Sequence, residues 1–128
     1  MKDDRLYVLH IGECLARIAQ YIAGGRETFL HSPLIKDATL RNLQTIGQSV
    51  SRLSATLRAA HPEIDWRSII GLRNVLVHDY LGINLERIWD ILARDVPDLQ
   101  RTVEAILQEP GGVESDKATS DDTTPDLC

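Results

Sequence analysis

With 128 residues, the chain has room for one domain built around one core. Apolar residues make up 43% and charged residues 26%, values of an ordinary globular protein, and no apolar run approaches the roughly 20 residues that cross a bilayer. The net charge of −5 is uneven: residues 114–128 carry five acids (Glu114, Asp116, Asp121, Asp122, Asp126) against one base (Lys117), so the remainder is nearly neutral and no basic stripe marks the usual nucleic-acid groove.

The charged start, Met1 to Arg5, lacks the apolar stretch of a signal peptide, which predicts a cytoplasmic protein. The two cysteines, Cys14 in a helical pattern and Cys128 at the end of a polar stretch, predict neither a disulfide nor a zinc site. A first helix is predicted from about Asp3 to Ala23, with Tyr7, Ile11, Leu15, Ile18 and Ile22 on one stripe and Gly24-Gly25 as its stop. A connector, Arg26 to Pro33, follows, with Phe29 and Leu30 tucked onto the core.

A second helix is predicted from about Lys36 to Ala60 on the seam Leu43, Ile46, Val50, Leu53 and Leu57, ended by His61-Pro62. Its small and polar positions, Gly47, Ser49, Ser51 and Ser54, allow a neighbouring helix to come close. Asp65 caps a third helix, Trp66 to about Val77, whose apolar content predicts the most buried element. Asn84 caps a fourth, in which Leu85, Ile88, Leu92, Val96, Leu99, Val103 and Ile106 keep period, and Pro97 either kinks it or opens a fifth. The expected fold is therefore an all-α antiparallel bundle of about four to five helices over residues 1–109, followed by a disordered acidic tail, residues 110–128.

One stretch does not read as core alone. Arg73-Asn74-Val75-Leu76-Val77-His78-Asp79-Tyr80 sets an arginine, an amide, a histidine and a tyrosine at the end of an apolar run. Such a set suits a phosphodiester, with Arg to hold phosphate and His to move a proton. Five helical residues turn about 500°, so Arg73 and His78 point about 140° apart unless the helix ends near Val77. Otherwise the two meet partners from another chain. The structural alternative pairs Arg73 with Asp79 or Glu86 and leaves His78 as a helix cap. Trp66 and Trp89 read as core anchors, and Gly71 as a point of close helix packing.

The arginine, the histidine and the tyrosine two residues later match the signature of the HEPN superfamily, and the chain resembles its HepT-like toxins in particular. Asp4-Arg5-Leu6-Tyr7, Gly24-Gly25-Arg26-Glu27, Arg41-Asn42-Leu43, His61-Pro62-Glu63-Ile64-Asp65-Trp66-Arg67 and Ile88-Trp89 extend the likeness over residues 3–108. Gln48 stands where many relatives have glutamate, and Asp79 where they often have a small residue.

The resemblance implies a HEPN-like homodimer whose shared cleft is lined by Arg73 and His78 of both subunits. It implies a toxin of a toxin–antitoxin module, a metal-independent endoribonuclease without cofactor. In this chemistry the ribose 2′-OH attacks phosphorus, His78 acts as acid or base, Arg73 stabilises the phosphorane, and Asn74 orients His78 or a phosphate oxygen. The substrate is tRNA or mRNA, and no membrane is involved. The implied partner is an MntA-like nucleotidyltransferase antitoxin that AMPylates Tyr80. The alternative is a non-catalytic helical dimer serving as a binding or scaffold subunit for a minimal nucleotidyltransferase or a nucleotide.

Overall fold

The computed structural model describes residues 2–109, which form six α-helices and no strand; the expected acidic tail, with Cys128, lies outside the described residues. Helix α1 (Lys2–Tyr21) runs into a 3-10 turn, Ile22–Gly24, and Gly25 breaks it with φ of 98°, a conformation that costs glycine little. Where a connector was expected, Arg26–His31 folds as a short helix, α2. The reason is Phe29, which is fully buried and meets the Trp89 ring at a centroid distance of 5.7 Å. Burying such a side chain stabilises by about 1.5–3 kcal/mol, enough to fix a helix this short.

Helix α3 (Pro33–Val50) starts on Ser32, whose Oγ accepts a hydrogen bond from the Ile35 amide at 3.2 Å, with proline at the first position. It stops ten residues before the expected end at Ala60, and Ala55–Ala60 forms a separate helix, α4. The seam survives the break, since Leu43, Ile46, Val50 and Leu53 all remain buried. What turns the chain is the buried Asp4 carboxylate, which accepts hydrogen bonds from the Ser54 amide at 2.8 Å and the Ser54 hydroxyl at 2.6 Å. Ser54 Oγ in turn accepts from the Leu57 amide and caps α4.

Helix α5 (Trp66–His78) begins at Asp65, as expected. Hydrogen bonds from the hydroxyl and amide of Ser68 hold the Asp65 carboxyl below the usual carboxylate range. The Trp66 indole donates to the carbonyls of Arg58 and His61, closing the end of α4. A second 3-10 turn, Tyr80–Gly82, leads to α6 (Leu85–Leu107), where Asn84 Oδ1 accepts from the amides of Glu86 and Arg87. Pro97 neither divides nor ends α6. It lies on the exposed side, where water can satisfy the carbonyl its missing N–H leaves behind.

Contacts between distant residues set the helix directions. The start of α1 meets the segment after α3 through Asp4 and Ser54, so α1 and α3 are antiparallel. Tyr80, just past α5, reaches Asp37 near the start of α3, so these two are antiparallel as well. Helix α3 lies between α1 and α5, and α6 covers α1. Helix α5 is not the most buried element. Its main neighbour is α3, and only Trp66 and Leu76 are buried, while Gly71, Asn74, Val75, Val77 and His78 are exposed. No described helix is long and apolar enough to cross a membrane.

Candidate functional site

Arg73 is placed by a glycine on the facing helix. A Cβ at Gly47 would lie 2.3 Å from Arg73 Cβ and 3.2 Å from the Ile69 carbonyl oxygen, so only glycine lets α3 and α5 approach this closely. The arginine stem therefore runs along α3 and is half-buried. Its Nη1 donates to Asn74 Oδ1 at 3.0 Å, while its Nε is buried without a hydrogen-bond partner. The expected alternative partners, Asp79 and Glu86, do not pair with it: Glu86 lies 3.4 Å from Arg26, and Asp79 turns its carboxylate onto Gly82. A buried donor of this kind costs about 1–3 kcal/mol when nothing satisfies it.

Because α5 continues through His78, Arg73 and His78 stand on different sides of one helix, about 140° apart. The structure thus does not join them within one subunit. His78 is the last residue of α5 and exposed, and its side chain makes no hydrogen bond or ion pair with another described residue. Asn74, expected to orient His78 or a phosphate oxygen, has its carbonyl engaged by Arg73 and its amide nitrogen left to donate. Around the helix, Arg67, Gly71, Asn74 and His78 follow one another at intervals of four, three and four residues and form a single exposed stripe. Gly71, read as a point of close packing, meets nothing within 4 Å of an added Cβ.

Tyr80 is 42% exposed and donates its phenolic hydrogen to Asp37 Oδ1 at 2.6 Å. That bond, together with desolvation and the charge of Asp37, pushes the phenol above the usual tyrosine range. Gly47 was expected to admit a neighbouring helix, and the structure shows that what it admits is Arg73, whereas Asp37 does not stand out in the sequence: it lies 43 positions from Tyr80 and belongs to no local pattern. Leu81, beside Tyr80, is 97% exposed. Among the described residues, no three His, Cys, Asp or Glu side chains gather as metal ligands.

A family model described as Ribonuclease HepT-like matches residues 11–106. The chain is 34% identical over 110 residues to "Putative RNase TTE0752" of Caldanaerobacter subterraneus subsp. tengcongensis, covering 85% of this chain and 98% of that protein. It is 31% identical over 112 residues to "Putative RNase MJ0127" of Methanocaldococcus jannaschii, covering 87% and 93% of the two chains. "Probable ribonuclease HepT" of Thermococcus cleftensis is 30% identical over 80 residues, 62% of this chain and 73% of the other. No solved structure matches. The match over most of the helical region places the chain in the HepT-like ribonuclease family.

Proposed function

We propose that this protein is a ribonuclease toxin acting as a homodimer in the cytoplasm, with its site completed across the exposed stripe of α5. The observation that carries this reading is Arg73: a half-buried guanidinium without a carboxylate partner, on the helix that ends in an exposed His78. An arginine so placed is poised for an anion that the monomer does not contain. The 140° offset keeps Arg73 and His78 of one subunit apart, and a second α5 laid against Arg67, Gly71, Asn74 and His78 supplies the missing partner. Gly71 leaves space for that approach, and Val75, 47% exposed, adds apolar area beside it.

In the dimer, one His78 takes the proton of a ribose 2′-OH as its oxygen bonds to phosphorus. The other His78 protonates the departing 5′-oxygen, leaving a cyclic phosphate and a free 5′-OH. The Arg73 guanidinium meets the charge that builds on the phosphoryl oxygens, and the free amide N–H of Asn74 donates to a phosphate oxygen. The step needs no metal. Its substrate is tRNA or mRNA, and its antagonist is an MntA-like nucleotidyltransferase that attaches AMP to the accessible Tyr80. Phosphate carried there sets negative charge at the end of α5 and repels RNA.

Purified protein incubated with RNA in EDTA tests the reaction. Fragments ending in a cyclic phosphate are expected, and His78→Ala is expected to slow their formation by about 10²–10⁴-fold. Equal cleavage by the two proteins removes His78 from the mechanism.

A further inference from the structure

Tyr80, Asp37 and Lys36 form a short polar chain at the surface. The phenol donates to Asp37 Oδ1 at 2.6 Å, and Lys36 Nζ lies 3.9 Å from the same oxygen. The Asp37 side chain is 61% exposed, and capping of α3 falls to Ser32 instead. The carboxylate therefore has no part in starting its own helix, and its one described side-chain hydrogen bond accepts the Tyr80 proton.

A phenol is almost wholly protonated near neutral pH and attacks phosphorus poorly unless its proton leaves during the attack. Asp37 already accepts a hydrogen bond from that O–H, in the position required of a general base. We propose that Asp37 is the catalytic base for adenylylation of Tyr80, so that the target protein, rather than the transferase, supplies the proton acceptor. This rests on the reading of Tyr80 as the modified residue. In the step, Tyr80 Oη bonds to the α-phosphorus of a nucleoside triphosphate. The bond from that phosphorus to the pyrophosphate oxygen breaks, and pyrophosphate leaves with the electron pair. The phenolic proton passes to Asp37 Oδ1 and then to water. The Lys36 ammonium beside the carboxylate offsets the phosphate charge that arrives next to it.

The test uses the full chain with His78→Ala, which removes the proposed cleavage activity. Other charged or titratable groups on the adjoining segments include Asp79 after α5, Arg41 one turn further along α3, and Arg26, Glu27 and His31 of α2, with Arg26 also reaching Glu86 of α6. The chain is incubated with ATP and a saturating nucleotidyltransferase, and AMP on the Tyr80 peptide is followed by mass spectrometry from about pH 5 to about pH 9. Asp37→Asn keeps an acceptor oxygen but takes no proton. It is expected to lower the maximal rate by roughly 10²-fold at neutral pH, with the rate then climbing as pH rises toward phenol ionisation. Asp37→Glu is expected to recover part of the rate. A rate for Asp37→Asn within about twofold of the parent at every pH, or a loss confined to KM, overturns the proposal. If the parent chain itself takes no AMP on Tyr80, it is the reading of Tyr80 as the modified residue that falls, and the role of Asp37 with it.

Discussion

Tyr80 shows how one contact changes the chemistry of a side chain. The Asp37 carboxylate accepts a hydrogen bond from its O–H and holds the phenol above the ordinary value near 10.0. For a group whose folded value is raised, the stabilisation is complete below the unfolded value and is lost as pH rises through the folded one. The Tyr80–Asp37 bond should therefore add stability at neutral pH and lose it only in alkali. NMR titration of ring-labelled tyrosine should find the Tyr80 ionisation above the usual range and return it there in Asp37→Ala; identical curves would mean the bond is absent in solution. Arg73 is the other residue at which the surroundings decide the chemistry. Its type is visible in the sequence, but its buried and unsatisfied Nε is known only once α3 is packed against it.

At the level of helices, the close approach of α3 and α5 depends on Gly47. The atom that an added Cβ would strike is Arg73 Cβ, anchored to backbone, so the clash cannot be relieved by swinging a flexible tip. Gly47→Ala should destabilise the fold by about 1–3 kcal/mol in denaturant titration and weaken RNA cleavage by displacing the arginine. Unchanged stability would show that the helices separate at no cost. The starts of α5 and α6 were legible from their caps, because Asp65 and Asn84 act on amides two or three residues away, whereas α3 is capped by Ser32 and begins at Pro33, three residues ahead of the expected start at Lys36. The break between α3 and α4 was not. Apolar spacing runs through it unchanged, with Leu53 still buried, and the turn is held by Asp4 from 50 positions away. The short α2 escaped notice for a related reason: six residues carry too little periodicity, and Phe29 gains its partner Trp89 only in the tertiary structure.

For the whole molecule, the exposed stripe of α5 is the feature that the monomer leaves unused. Arginine at Gly71 would fill the open space in which the proposed second helix packs, and aspartate at Val75 would charge its flank. Gly71→Arg and Val75→Asp should each shift the protein toward monomer in sedimentation analysis. RNA cleavage should fall with the dimer while helical content stays unchanged. A monomeric parent that cleaves RNA as well as before would reject the shared cleft.

The sequence alone was enough for the helical class, the caps of α5 and α6 and the seam of α3, because periodicity and capping act within a turn or two of helix, and it named Arg73, Asn74, His78 and Tyr80 as the candidate set. Packing alone decided that α5 lies open on one side, that Gly47 seats Arg73, that Asp4 turns the chain at Ser54 and that Tyr80 meets Asp37. Those four depend on contacts between segments far apart along the chain, and a contact of that kind leaves no local pattern for either partner to reveal.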